Sequence, residues 1–229
     1  MPRLLKSILL FIAIVVALLA APLLFITDEG KPAQQASGGL PWQIEVLADG
    51  HARVFGLTPG LSTLDDAFAR FGPEAQIAMI IAKGESGSVE AYYETLAAGF
   101  VTGKMILTLD TTIEQREEML KRAIKAEFME STTRRVTLAD DDLRTLSKAR
   151  VSAIAFIPSA QLDEAVVLQR FGMPAERIRS SEHTEHFLYP DKGLDLRLDT
   201  KGKELLQYVA PRDFARLREP LIATAKQTG

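Results

Sequence analysis

Nineteen consecutive residues from Ile8 to Ile26 (ILLFIAIVVALLAAPLLFI) carry no charged or strongly polar side chain, and this run constrains the chain more than any other feature. As a helix rising about 1.5 Å per residue it covers about 28 Å, close to the ~30 Å hydrocarbon core of a bilayer. Arg3 and Lys6 precede it and Asp28 and Glu29 follow it. The positive-inside bias then places the N-terminus in the cytoplasm and the rest of the chain outside. Cleaved signal peptides have shorter apolar cores and a small-x-small cleavage site; here Leu18 and Leu19 stand in the −3 positions of the Ala20-Ala21 pair, and Pro22 follows directly. The expectation is a retained anchor over residues 1–27, with Ile8, Leu10, Phe11, Val15, Leu19, Leu24 and Ile26 facing lipid. The protein is then single-pass in the inner membrane, with a periplasmic C-terminal domain beyond a flexible linker at 28–40 that is rich in Gly, Ser and Pro.

The chain is 47% apolar and 25% charged, ordinary for a globular protein. Of its 27 Lys and Arg, residues 1–26 take only Arg3 and Lys6, so the remainder is net acidic against 30 Asp and Glu. That balance argues against nucleic acid as a partner, because phosphate needs a basic surface. There is no cysteine, which removes disulfides, thiolate metal sites, cysteine nucleophiles and a lipidated cysteine together.

Beyond the linker the pattern is α+β. Trp42–Leu57 reads as a hairpin around Asp49-Gly50. Ser62 and Asp65 form a capping box before a short helix with Leu64, Ala67, Phe68 and Phe71 on one face, ended by Gly72-Pro73. Three strands follow, at Ile77–Ala82, Val89–Thr95 and Met105–Leu109. Thr112–Glu130 then reads as a helix with Ile113, Leu120, Ile124 and Phe128 along one side. The second half repeats the plan: a strand at Val151–Ile157, a helix ending at Phe171-Gly172-Met173-Pro174, and a meander from Glu176 to Val209. A last helix begins at Pro211. Arg70-Phe71-Gly72-Pro73 in one half answers Arg170-Phe171-Gly172-Met173-Pro174 in the other. The expected fold is an N-terminal transmembrane helix followed by two similar small antiparallel-sheet-plus-helix repeats, at 41–130 and 131–229.

Residues 162–209 resemble the SmpA/OmlA (BamE-like) envelope domain, with a fainter copy in the first half. The matching features are Arg170-Phe171-Gly172-Met173-Pro174, the aromatic strand Phe187-Leu188-Tyr189 and the closing strands from Leu194 to Tyr208 around Gly202. The resemblance implies a small α+β scaffold module of the bacterial envelope. The best-known members are lipoproteins that scaffold outer-membrane protein assembly, and this chain departs from them in lacking the cysteine to be lipidated.

No set of residues stands out as catalytic, metal-ligating or cofactor-binding. His183 and His186 differ by an odd number of positions, so on a strand they point to opposite faces; they read as polar residues on a meander's solvent side. His51 reads as a surface turn residue. Ser86, between Gly84 and Gly87, reads as a loop serine because the second glycine comes one place too early for a nucleophile elbow. Asp140–Asp142 suit a helix start, and Trp42 suits a plug for the sheet edge. Tyr92 and Tyr93 are adjacent on a strand, so one faces outward; with the helix Thr112–Glu130 it marks a partner surface. Two functions follow. The first is a membrane-anchored interaction or scaffold protein that binds another envelope protein through a sheet edge or the exposed helix. The alternative is a periplasmic domain that binds or hydrolyses a small ligand, with a cleft between the repeats near His183, Glu185 and Arg179. One concave, partly buried cleft holding those three side chains favours the alternative.

Overall fold

The computed structural model describes residues 39–129 and 133–228, with backbone alone for 224–228. In chain order its elements are β1 (Glu45–Val46), β2 (Ala52–Arg53), α1 (Leu64–Phe71), β3 (Gln76–Ile81), β4 (Ser88–Ala98), β5 (Val101–Leu109), α2 (Ile113–Lys121), β6 (Lys125–Phe128), β7 (Arg134–Thr137) and α3 (Asp140–Leu146). There follow β8 (Val151–Pro158), α4 (Glu164–Phe171), β9 (Glu176–Arg179), β10 (Thr184–Tyr189), β11 (Leu194–Asp199), β12 (Leu205–Tyr208) and α5 (Ala215–Thr228). The hairpin β1–β2 turns at Asp49-Gly50, as its dipeptide dictates. The capping box of α1 starts one residue later than the sequence suggests: Thr63 accepts from the Asp66 N–H, and Asp66 accepts from the Thr63 N–H.

Period-2 alternation sets the sheet. Val89, Ala91 and Tyr93 on β4 and Met105, Leu107 and Leu109 on β5 all turn to one buried face. The sequence reading puts a small sheet in each half, and the structure corrects it. Ten strands form one antiparallel sheet, in the order β6-β7-β3-β4-β5-β8-β12-β11-β10-β9. The halves meet where β5 pairs with β8, Met105 opposite Phe156 and Leu107 opposite Ile154. An exposed edge leaves backbone donors and acceptors unpaired, and joining the halves removes two such edges while fusing their apolar faces. Phe55 lies over this seam, its ring 5.2 Å from Phe156 and 5.5 Å from Tyr208.

The membrane-spanning part of the expected fold is also corrected. No helix among the described residues is long and apolar enough to cross a membrane. The longest, α5, has 14 residues with Pro220 inside it, which is about 21 Å against a ~30 Å core. The single-pass inner-membrane placement, with its periplasmic domain, does not stand on that finding. Ile8, Leu10, Phe11, Val15, Leu19, Leu24 and Ile26, on which it rests, lie outside the described residues.

The helix expected over Thr112–Glu130 stops at Lys121, and Lys125–Phe128 becomes β6. Only Met119 of α2 is buried, so the apolar stripe Ile113, Leu120, Ile124 and Phe128 has no core to face. Arg122 closes the helix by pairing with the buried Asp142 carboxylate at 2.7 Å. Pairing with β7 then outweighs helix propensity in the segment that follows.

The two Phe-Gly motifs share one local geometry. Gly72 (φ 89°) and Gly172 (φ 83°) end α1 and α4 in backbone that disfavours other residues. The Tyr93 hydroxyl donates to the Gly72 carbonyl at 2.9 Å, and the Tyr189 hydroxyl to the Gly172 carbonyl at 3.0 Å. Their rings lie 5.9 Å from Phe71 and 6.2 Å from Phe171. In each half the tyrosine stands on the second strand after its helix. Burial pushes both phenols up to about 12. A raised folded value means this stability is complete below the ordinary value near 10 and is lost as pH climbs from there through about 12. Unfolding free energy is therefore expected to fall steeply in that window. In the doubly substituted chain, Tyr93→Phe with Tyr189→Phe, the fall becomes shallower and the neutral-pH stability drops by about 2 kcal/mol. Denaturant melts across pH 8–12 check both.

Candidate functional site

A cavity of about 540 Å³ opens at one end of the second half's strands. The approach to α4 supplies Leu162, Asp163 and Glu164; β9 and the turn into β10 supply Arg179, Glu182, His183 and Glu185; β11 and its turn into β12 supply Leu198, Asp199 and Glu204. Strand register makes the first grouping: Glu185 sits directly opposite Arg179 in the β9–β10 ladder. His183, Glu185 and Arg179 therefore line one cleft, although it lies within the second half and not between the halves.

Six carboxylates line this space, and five of them have internal partners. Asp163 caps α4 by accepting from the Val166 N–H at 2.7 Å. Glu164 and Glu185 share Arg177, at 2.8 and 2.9 Å, while the Arg177 guanidinium lies 4.2 Å from the Phe187 ring centre. Asp199 accepts from the Lys201 N–H, which holds its carboxyl below the usual carboxylate range. Glu182 stands out in solvent, 3.7 Å from His183. Glu204 is different: it is only 3% exposed, and its Oε2 has no hydrogen-bond partner. A buried carboxylate oxygen left unpaired costs free energy, which sets Glu204 apart from the other acids of the cleft. Among the described residues, no three carboxylate or imidazole groups converge closely enough to hold a metal ion. The chemistry of the cleft suits an organic cation whose N–H groups meet Glu204 and whose carbon skeleton lies against Leu162 and Leu198.

Two histidines depart from their expected exposure. His186 is buried on the opposite face of the sheet, with its Nδ1 2.9 and 3.0 Å from the two carboxylate oxygens of Asp195. That face is covered where Phe214 and, from α5, Leu217 and Leu221 pack against Leu188. Among the described residues His186 bonds no hydroxyl, so the pair orders the strands and has no nucleophile to serve. His51 is also buried; its Nδ1 lies 3.1 Å from an Asp49 carboxylate oxygen, yet neither ring nitrogen makes a hydrogen bond among the described residues. Tyr93 points inward as described, while Tyr92 is half-buried on the other face, its hydroxyl donating to Glu94 and its ring under Lys104. Trp42 packs partly buried between Phe100 and Phe171, with Arg170 over its ring at 4.9 Å.

Comparison with family models, curated proteins and solved structures finds no match.

Proposed function

We propose that this chain is a binding protein for a small organic cation, held in the cleft by Glu204 and by the apolar walls Leu162 and Leu198. The observation that carries the reading is the buried Oε2 of Glu204, unpaired at the edge of a 540 Å³ cavity. That volume lies in the range of small-molecule sites. The cleft supports binding more than catalysis, because among the described residues the only carboxylate paired with His183 is the exposed Glu182, which gives the imidazole no fixed orientation. Agmatine, a guanidinium with an alkylamine tail, is the probe, and glutarate is the anionic control. In calorimetric titration agmatine is expected to bind, and Glu204→Gln to weaken it about tenfold or more, as loss of a charge-assisted hydrogen bond does. Equal affinity in Glu204→Gln, or no binding to the native chain, overturns the reading.

A second reading, binding to another protein, has one specific support. Ile124, Phe128 and Met129 are exposed together at one end of the sheet.

A further inference from the structure

At the sheet end opposite β9, strand β6 has a neighbour on one side only among the described strands, and all four of its residues are exposed. Ile124 and Phe128 show 67% and 74% of their surface, large values for such side chains. Across the β6–β7 ladder the Met129 N–H donates to the Thr133 carbonyl. In an antiparallel ladder that phase turns the amides of Lys125 and Glu127 toward β7, and the Ile124 N–H just before the strand also donates to β7, at the Thr137 carbonyl; the N–H and C=O of Ala126 and Phe128 are left directed at the free edge. An edge of this kind is a template for another strand.

The sequence of the edge says which strand fits. We propose that β6 pairs antiparallel with β6 of a second copy of this chain, centred on Ala126 opposite Ala126. In that register Lys125 of each copy stands opposite Glu127 of the other, and Ile124 opposite Phe128. Lys125 and Glu127 already share one side of the strand, 2.5 Å apart, so the two copies present four alternating charges on that side. The other side presents a continuous apolar strip of Ile124, Ala126 and Phe128. The Ala126 amides exchange two reciprocal hydrogen bonds at the two-fold axis. Sliding the pairing by one step in either direction along the same faces sets Lys125 against Lys125 or Glu127 against Glu127, which like-charge repulsion disfavours. One register is thus selected by charge and by apolar contact together. This inference stands apart from the cleft and does not depend on it.

Sedimentation velocity on the full chain tests it. The native chain is expected to dimerise with rising concentration. Lys125→Glu and Glu127→Lys, each alone, are expected to raise the dimer dissociation constant about tenfold or more, because each sets like charges against each other at two places. Mixing the two variants restores opposite charges at both places, so the mixture forms a heterodimer tighter than either variant's own dimer. Ala126→Pro removes a donor from the free edge only, and is expected to give monomers with an unchanged far-ultraviolet spectrum. A native chain that stays monomeric at every soluble concentration overturns the proposal. So does a mixture no tighter than its components.

Discussion

Phe156→Ala is expected to lower the unfolding free energy by about 3–5 kcal/mol, the range for deleting a fully buried aromatic ring. Phe156 is wholly buried on β8, opposite Met105 of β5 on one side and Leu206 of β12 on the other. Its ring meets Phe55 from above, and a Cβ built on Gly103 would come within 2.5 Å of it. Neighbours this close cannot all move inward, because two ladders hold β8 in place. The vacated space therefore persists as a cavity instead of collapsing. Phe156→Leu keeps most of the volume and is expected to lose roughly half as much. Urea titration gives both values. A loss under about 1 kcal/mol for the alanine variant contradicts a core centred on the β5–β8 seam.

Asp195→Ala is the next largest, with an expected loss of about 3 kcal/mol. The carboxylate holds His186 Nδ1 with both oxygens, and both residues are buried. Removing one partner strands the other away from water, which costs more than the pair contributes net. Asp195→Asn keeps an acceptor and is expected to lose less. Combining Asp195→Ala with His186→Leu recovers part of the loss, since the stranded imidazole is then gone. Additive losses in the double variant contradict a coupled pair.

The local elements were legible because their signals are local. Asp49-Gly50 makes its hairpin, Phe71-Gly72 and Phe171-Gly172 end their helices, and the alternation in Val89–Tyr93 faces its strand correctly. The joining of the halves was not legible. Nothing near Met105 or Phe156 distinguishes a strand paired within its own half from one paired across the seam. The break after Lys121 was hidden for a related reason: Ile124 and Phe128 keep helical spacing, and only the arrival of β7 makes a strand the better state.

The site divides the same way. Arg179, His183 and Glu185 come together because β9 and β10 are a hairpin, and a hairpin can be read from sequence. His186 could not be read as buried, because its partner Asp195 lies on β11 and the cover over that face comes from the C-terminal helix α5. Glu204 left no signal at all. It is one acid after a Lys-Gly turn, and only the packed structure shows that its Oε2 is buried in the cleft lining without a hydrogen-bond partner.

The most direct measurement is the side-chain carboxyl carbon resonance of Glu204 during titration with agmatine. A saturable shift of that resonance is expected, with the fully exposed carboxylates unmoved and no response to glutarate. A Glu204 resonance that stays in place while agmatine binds, or a shift equal to that of surface acids such as Glu182, contradicts the claim that this buried carboxylate receives the ligand.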